Sequence, residues 1–323
     1  MKVGIVGAGG IVSKVLPTLK QIEDLELYAI AAITLEEAEA FGAKNGCFQK
    51  AYGSCEELVS DPEVELVYVA TPHSFHYQSV MMALEHGKPV LCEKAFTLNA
   101  EQAKKIRDKA REKDLFVAEA MWFRYMPSRK IIRDLLDTGI IGNIRTLTGN
   151  LSYKLDANPR LTDINQAGGA LLDVGIYGVS FALLYFGTEV TKVDSSVYMT
   201  DGGVDGMESV TIHFKDGKMA VLTNGIYGRS DRHGVFYGEK GYIVLDNINN
   251  TRVAEVYDTQ DVLLKRIEMP AQISGYEFEW RECIRAIKEG KKSAPSMPLE
   301  DTIAVLEICD KVRKQWGLKY PQE

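Results

Sequence analysis

Cysteine is scarce in this chain and follows no pattern. The 323 residues include five cysteines, and no two of them have C-x-x-C spacing, which argues against a disulfide framework and against a zinc ribbon. We expect all five to be buried thiols. They are Cys47, Cys55, Cys92, Cys283 and Cys309.

Long apolar runs, repeats and low-complexity tracts are also missing. No uninterrupted apolar run reaches about 18 residues, the length that a membrane span needs. The apolar start is short and broken by glycines, unlike a signal peptide. No flexible linker or internal repeat is visible. We therefore expect a cytoplasmic protein with no membrane partner.

The composition is that of an ordinary globular protein with an acidic balance. With 38 basic and 45 acidic residues the formal net charge is −7, which disfavours nucleic acid as a partner. Hydrophobic residues make up 46% and charged residues 26% of the chain, enough to build substantial cores. A chain of this length suggests two domains.

The most informative stretch opens the chain. The apolar run from Lys2 to Val6 leads into Gly7-Ala8-Gly9-Gly10, and glycines directly after a buried strand allow the backbone to turn sharply and approach a phosphate. Gly7 and Gly9 fit the G-x-G-x-x-G pattern, but Val12 occupies its third glycine position. The stretch predicts either a dinucleotide site at a helix N-terminus or only a structural glycine turn.

Strands and helices alternate over the first third of the chain. Apolar runs at residues 25–33, 66–70, 90–92 and 115–118 predict strands. Helices are predicted at 35–45 and 79–85, and another begins after Asn99, with Gln102 in the capping-box position. This alternation predicts a doubly wound parallel sheet, whose ligands bind beyond the carboxyl ends of the strands.

The pattern changes after about residue 120. Residues 207–225 alternate apolar and polar side chains around Asp216-Gly217, which is typical of a hairpin. Short strands follow at 235–237, 242–245 and 253–256, and helices are predicted at 276–289 and 299–316. We therefore expect an α/β chain with two domains, residues 1–120 with the parallel sheet and residues 121–323 with an antiparallel sheet.

The first candidate site segment follows the predicted strand at 66–70 and runs from Thr71 and Pro72 to His73 and His76. The two histidines could be zinc ligands, but no third ligand with suitable spacing is visible, so we expect no metal. They could instead contact a cofactor or substrate, or only cap the next helix.

Two further segments carry charged or polar side chains. Glu93 and Lys94 follow the strand at 90–92, where a lysine is either a solvated surface charge or a group that polarises a carbonyl. In the stretch from Gly168 to Tyr177, Asp173 and Tyr177 are four residues apart, so a helix would place them on one face. They are either a capping residue and a core tyrosine, or a catalytic pair.

These motifs, in this order, resemble the glucose-fructose oxidoreductase, inositol dehydrogenase and rhizopine catabolism (Gfo/Idh/MocA) family over nearly the whole chain. The run from Glu119 through Trp122 and Arg124 to Pro127, together with Tyr177 where much of the family has histidine, is most similar to the dimeric dihydrodiol dehydrogenases.

The resemblance implies a Rossmann domain for NAD(P), and a C-terminal α/β domain with an open, mainly antiparallel sheet that binds substrate and often forms a dimer interface. It also implies that each matching residue has the same role as its counterpart in the family. Gly7, Gly9, Gly10 and Ile11 would hold the pyrophosphate; Thr71, Pro72, His73 and His76 would line the cofactor; Glu93 and Lys94 would lie by the nicotinamide; Trp122 and Arg124 would wall the pocket.

The resemblance also implies a catalytic set. Tyr177 would donate or accept the proton, with Lys94 beside it and Asp173 orienting the pair. Hydride transfer from an alcohol carbon leaves charge on its oxygen, which needs a proton partner and a positive charge. Tyrosine and lysine supply both, and either of them could be the proton donor.

Departures from the family pattern also carry expectations. Ala95 stands where the family has proline after Glu-Lys, so we expect a trans Lys94–Ala95 bond, or a strained cis one. Val12 and Ala167 replace small residues or glycine. The strand at 25–33 ends without the Asp or Glu that binds an adenosine ribose. This favours NADP over NAD, with Thr34 as a hydroxyl contact, although Glu36 and Glu37 oppose it.

The sequence thus predicts an NAD(P)-dependent oxidoreductase that acts on a vicinal diol, a sugar-like polyol or the corresponding carbonyl compound, working as a homodimer. The alternative is a non-catalytic NAD(P)-binding regulator on the same fold. The joint presence of Lys94, Asp173 and Tyr177 favours the enzyme.

Overall fold

The computed structural model describes all residues from 1 to 323. Contacts divide the chain into two compact units. The first comprises Met1–Tyr125 and Gln272–Ile303, and the second comprises Met126–Ala271 and Ala304–Glu323. Each unit contains one sheet. A functional boundary near residue 120 stays a prediction.

The first unit is built on a parallel sheet with the strand order β3-β2-β1-β4-β5-β6. Its strands are mostly short apolar runs that are almost fully buried, as expected for a sheet covered on both faces. This confirms the doubly wound parallel sheet. The strands are β1 Lys2–Val6, β2 Glu26–Ala31, β3 Lys50–Tyr52, β4 Leu66–Val69, β5 Val90–Glu93 and β6 Val117–Ala120.

Six helices of ten or more residues belong to or begin in this unit. They are α1 Gly10–Leu19, α2 Leu35–Asn45, α4 His73–Glu85, α5 Ala100–Lys113, α9 Glu277–Lys288 and α10 Leu299–Trp316. The predicted bounds of α2 and α10 match the structure, whereas α4 begins six residues before the predicted start. The sequence analysis missed β3 and the short helix α3, Cys55–Ser60.

The start of α5 shows how the predicted capping box differs in detail. The Asn99 side chain accepts a hydrogen bond from the Gln102 amide at 2.9 Å, as expected of an N-cap. The Gln102 side chain, however, accepts from the amide of Leu98 at 3.1 Å. The reciprocal hydrogen bond is therefore made with the residue before the N-cap and not with the N-cap itself.

The second unit is built on an eight-stranded sheet with the order β14-β13-β12-β11-β7-β10-β9-β8. Only β7 and β10 pair in parallel, so the mainly antiparallel sheet is confirmed. Its strands are β7 Ile144–Ser152, β8 Val190–Met199, β9 Asp205–Phe214, β10 Met219–Gly225, β11 Gly234–Gly238, β12 Gly241–Leu245, β13 Val253–Asp258 and β14 Leu263–Glu268. The predicted hairpin closes at Asp216-Gly217, where the Phe214 amide donates to the Lys218 carbonyl at 2.9 Å.

Three helices accompany this sheet: α6 Pro127–Asp137, α7 Pro159–Thr162 and α8 Ile176–Phe186. α8 packs on β7 and β10, and its Phe181 and Tyr185 rings lie 5.7 Å and 5.1 Å from the ring of Phe236 on β11. The stretch Ile164–Phe186 is long and apolar enough to cross a membrane by length and composition, but 83% of its most apolar part is buried inside the protein. Such burial is typical of a core helix.

All five cysteines are free thiols. Cys92, Cys283 and Cys309 are buried as expected, whereas Cys47 and Cys55 are only half-buried. The expectation of five buried thiols is therefore wrong for two of them.

Candidate active site

The glycine turn connects β1 to α1. Gly7 has a φ of 111°, and a Cβ there would lie 2.6 Å from the Ala70 carbonyl oxygen, so only glycine fits. Gly9 is the N-cap of α1 and supplies no capping side chain. A Cβ on Gly9 or Gly10 would have no atom within 4 Å. The N-terminus of α1 thus has no capping side chain and has open space beside its glycines, which suits a diphosphate at a helix N-terminus.

The third position of the glycine pattern is filled without disturbing the turn. Val12 is 0% exposed, and α1 continues through it without interruption. A branched side chain is therefore accommodated under the helix at this position.

The end of β2 lacks a carboxylate for the cofactor ribose. It is followed by Ile33, which is 87% exposed, and by Thr34, the N-cap of α2. The Thr34 hydroxyl accepts a hydrogen bond from the Glu37 amide at 3.2 Å. The Thr34 hydroxyl therefore already accepts one hydrogen bond from the helix that it caps.

The segment after β4 ties two loops together. His76 is fully buried; its Nε2 lies 2.8 Å from the Thr71 carbonyl and its Nδ1 lies 2.7 Å from the Ala95 carbonyl. The Thr71 hydroxyl is buried without a hydrogen-bond partner in the chain, as expected of a group reserved for a ligand. Pro72 is the N-cap of α4, and the ring of His73 lies edge-on to that of His76.

No group of three His, Cys, Asp or Glu side chains in the structure could hold a metal ion. Both ring nitrogens of His76 face backbone carbonyls. The geometry around His76 is thus that of a brace between two loops.

Lys94 follows the last residue of β5 and is half-buried. Its peptide bond to Ala95 is cis, so the trans expectation is wrong and the cis alternative holds. Hydrogen bonds fix the backbone beyond this bond, since His76 contacts the Ala95 carbonyl and the Phe96 amide donates to Glu119 at 3.2 Å.

Buried carboxyl groups lie around the residue before Lys94. Glu93 accepts a hydrogen bond from the Tyr68 hydroxyl at 2.5 Å. Burial raises the pKa of Glu93, against the opposing effects of Tyr68 and Lys94. Burial and the neighbouring Glu93 raise the pKa of Glu279 well above its usual range. The sequence analysis identified neither Glu279 nor Tyr68.

An aromatic stack lies in the same unit. The Trp122 ring stacks on Tyr276 with centroids 4.5 Å apart, and the ammonium of Lys14 lies 5.4 Å from the centre of the Tyr276 ring. Burial and the nearby Lys94 ammonium lower the pKa of Lys14. Arg124 is buried and forms an ion pair with Asp301. Of these residues, the sequence analysis identified Trp122, Arg124 and Lys94, but neither Lys14 nor Tyr276.

Glu119 is fully buried beside this cluster. It accepts hydrogen bonds from the Phe96 amide and, at 2.9 Å, from the Thr302 hydroxyl. Burial raises its pKa to about 7. Because the folded chain then holds a proton that the unfolded chain releases near pH 4.5, this group lowers stability as pH rises from about 4.5 to 7.

We expect Glu119→Gln to remove this pH dependence. Relative to the parent chain, the variant should gain at most about 1.4 kcal/mol of unfolding free energy per pH unit between pH 5 and 7. Urea unfolding at pH 5, 6 and 7 measures it. The control is exposed Glu112→Gln, which should change the slope weakly and in the opposite sense, since a hydrogen bond from Lys109 lowers the pKa of Glu112. Parallel stability curves for parent and Glu119→Gln would contradict the assignment.

The second unit carries Asp173 and Tyr177. Asp173 lies in a π turn, Leu171–Gly175, and Tyr177 lies in the first turn of α8. A π turn has a wider hydrogen-bond spacing than an α-helix, so the spacing argument for a shared face does not apply to this pair. The Asp173 carboxylate accepts a hydrogen bond from Arg160 at 2.9 Å. Arg160 was missed by the sequence analysis.

The loop before the π turn is braced from the other end of the unit. Ala167 has a φ of 51°, in the left-handed region that favours glycine. The Tyr320 hydroxyl donates to the Gly168 carbonyl at 2.8 Å, and the Gln322 amide donates to the Asn165 carbonyl at 2.7 Å. These contacts hold the alanine where the family pattern has glycine.

Family comparisons agree with this arrangement. Residues 1–121 match the model of an oxidoreductase family with an NAD-binding Rossmann fold, and residues 130–244 match the GFO/IDH/MocA C-terminal domain. The chain belongs to the Gfo/Idh/MocA family. This Gfo/Idh/MocA protein is therefore an oxidoreductase, and its glycine turn belongs to an NAD(P)-binding fold.

Relatives of this Gfo/Idh/MocA protein include trans-1,2-dihydrobenzene-1,2-diol dehydrogenase of Mus musculus, which is 33% identical over 99% of this chain and 98% of the relative. Among solved structures, the 3-ketoreductase KijD10 from Actinomadura kijaniata, in complex with NADP and TDP-benzene, has a TM-score of 0.90 and 26% identity, covering 97% of each chain. A levoglucosan dehydrogenase in complex with NADH has a TM-score of 0.84, and at 19% identity it shows the fold alone.

Proposed function

We propose that this enzyme transfers a hydride between NAD(P) and a vicinal diol, a sugar-like polyol or the corresponding carbonyl compound. The observation that carries the proposal is the similarity to a diol dehydrogenase from end to end, in a chain that has Lys94, Asp173 and Tyr177. The similarity to a 3-ketoreductase supports the inclusion of the corresponding carbonyl compound.

The residues of the first unit fit the cofactor. The uncapped amides of α1 at Gly9, Gly10 and Ile11 would hold the diphosphate, and the buried Thr71 hydroxyl would find its partner on the bound nucleotide. When bound, NAD(P) accepts or supplies the hydride. His76 keeps the Thr71 and Ala95 backbones in place for this contact.

The polar side chains act on the substrate oxygen. The Lys94 ammonium stabilises the negative charge that develops there, because a cation held in a protein site is already oriented before the reaction. The Tyr177 hydroxyl exchanges a proton with the same oxygen. Asp173, which forms an ion pair with Arg160, orients the pair of Lys94 and Tyr177.

A spectrophotometric screen tests the reaction class. Purified protein with NAD or NADP should reduce the nicotinamide in the presence of at least one trans-diol or sugar, and oxidise it with the matching ketone. Aliphatic alcohols with a single hydroxyl serve as the control and should give no turnover. Tight cofactor binding without turnover on any diol, sugar or dicarbonyl would favour the alternative, a non-catalytic NAD(P)-binding regulator.

For the cofactor itself, we propose a preference for NADP. The β2 end has no carboxylate to repel a 2′-phosphate, and the Thr34 hydroxyl lies at the N-terminus of α2. Glu36 and Glu37 in that first turn limit the preference.

We expect Glu37→Gln to tighten NADP binding and to leave NAD binding unchanged, as measured by fluorescence titration. Tenfold tighter binding of NAD by the parent chain, about 1.4 kcal/mol, would overturn the preference.

We also propose that the enzyme works as a homodimer in the cytoplasm. Tyr237, Tyr242, Tyr257 and Leu263 are opposite one another on consecutive strands, so they share one face of the sheet. Tyr237 is 43% and Leu263 is 48% exposed, and an exposed apolar patch favours association.

Five free thiols favour a reducing compartment. Light scattering and cell fractionation test the two proposals.

A further inference from the structure

Two carboxyl groups of strand β9 are buried in the same unit as the segment that carries Asp173 and Tyr177. Asp205 is 0% and Glu208 is 5% exposed. Burying two carboxyl groups together costs free energy of folding. We therefore expect the contacts of this pair to have a function.

A bulge brings the two side chains to one face of the sheet. Residues three apart in a regular strand point to opposite faces. Here Met199 pairs with Asp205 while Tyr198 pairs with Met207, so Gly206 is an extra residue in β9. The extra residue restores Asp205 to the buried face on which Glu208 lies.

Asp205 contacts the start of the π turn. Its Oδ2 accepts a hydrogen bond from the amide of Leu171, the first residue of the turn, at 2.5 Å. A Cβ on Gly169 would overlap Oδ1 of Asp205. The carboxylate therefore lies directly against the backbone at this point, and it fixes where the turn begins.

Glu208 contacts the end of the π turn. It is opposite Asn224 of β10 in the ladder. A Cβ on Gly175 would overlap Oε1 of Glu208, and a Cβ on Gly178 would lie 3.4 Å from Oδ1 of Asn224. Tyr177 lies between these two glycines, so the backbone around it rests on the Glu208–Asn224 pair.

Burial raises the pKa of both carboxyl groups. Burial raises the pKa of Asp205 to about 6, while backbone amides and Arg313 oppose the rise. Burial and the nearby Asp205 raise the pKa of Glu208 well above its usual range. Burial thus disfavours the charged form of both groups, and backbone amides oppose this effect at Asp205.

We propose that Asp205 and Glu208 are positioning residues that fix the two ends of the Leu171–Gly175 turn and thereby set the places of Asp173 and Tyr177. The inference rests on the proposed function, because these places affect turnover only if the two side chains act in the reaction.

Alanine variants test the proposal by separating kcat from binding. Asp205→Ala and Glu208→Ala should each lower kcat at least about tenfold. Cofactor affinity should stay within about twofold, because the cofactor residues belong to the first unit. Asp205→Asn and Glu208→Gln keep an acceptor and the shape, and should retain most of kcat. If the two residues had a merely structural role, the alanine variants would lower the fraction of folded protein. The kcat values would then not show the pattern of loss in the alanine variants and recovery in Asp205→Asn and Glu208→Gln.

Hydrogen exchange gives a second readout that needs no substrate. The Leu171 amide should exchange at least about tenfold faster in Asp205→Ala than in the parent chain, since it loses its acceptor. Asp194→Asn is the matched control: Asp194 lies on the neighbouring strand β8, pairs with Lys192 and His213, and its side chain is 48% exposed. It should change neither exchange at Leu171 nor kcat.

A steric variant keeps the proposal testable if the alanine variants do not fold. Gly175→Ala should lower kcat, because its Cβ overlaps Glu208, and the double variant Gly175→Ala/Glu208→Ala should recover part of the loss. No recovery, or a parental kcat in the folded alanine variants while Tyr177→Phe is inactive, would overturn the positioning roles alone. Full activity of Tyr177→Phe would instead overturn the catalytic assignment, whatever the exchange at Leu171 shows.

Discussion

Replacing Lys94 by methionine is expected to lower kcat roughly 10²- to 10³-fold, the usual cost of removing one group that stabilises developing charge. Methionine keeps an unbranched side chain of similar length but carries no ammonium. Lys94 directly follows β5, at the carboxyl end of a doubly wound parallel sheet, where ligands of this fold bind. Cofactor affinity should be nearly intact, because the lost interaction exists mainly in the transition state.

The chain offers a matched lysine near the opposite end of the same strand. Lys88 precedes β5, and its ammonium donates to the carbonyls of Asp61 and Val64 at 2.7 Å and 2.9 Å. Lys88→Met should lower the melting temperature, because these carbonyls lose their donor, and should leave kcat unchanged. Stopped-flow measurement of the hydride-transfer step on both variants makes the comparison. Turnover of Lys94→Met within about threefold of the parent would exclude the role.

Local signals explain which parts of the fold were predictable. The bounds of α2 follow from the Thr34 cap and from Gly46 at its end, and buried apolar runs mark β1, β4 and β5. β14 is exposed along nearly its whole length, so its sequence has no alternation to detect. β3 has only three residues, too few for any periodic signal. These elements form because a neighbouring strand supplies their hydrogen bonds, and sequence windows do not contain that neighbour.

The candidate site divides in the same way. The glycine turn and Lys94 were recognisable because each has a fixed offset from a strand. The partner of Asp173, however, is Arg160 in the separate short helix α7, and the support of the π turn comes from Asp205, 34 residues from the amide it binds. The cis form of the Lys94–Ala95 bond was only one of two expectations, because proline, its usual sequence signal, is absent there.

A second large effect is expected for Tyr177→Phe, which removes one oxygen from a side chain that is only 7% exposed. If this hydroxyl exchanges the proton with the substrate oxygen, kcat should fall roughly 10²- to 10⁴-fold, the range for general acid–base catalysis. Tyr185 on the same helix α8 is also 7% exposed, and its ring lies beside the Arg133 guanidinium. Tyr185→Phe is therefore a control for loss of the hydroxyl from a buried tyrosine, and its kcat should stay at the parental value.

The double variant Lys94→Met/Tyr177→Phe tests whether the two groups act on one oxygen in one step. Groups that act as a unit are not additive, so the double variant should be little worse than the slower single variant. If the two losses multiply, the groups act independently, and the joint role is wrong. If Tyr177→Phe alone keeps the parental kcat while Lys94→Met is inactive, Tyr177 is not the proton-transfer group, and the Lys94 ammonium is the only one of the two that the reaction requires.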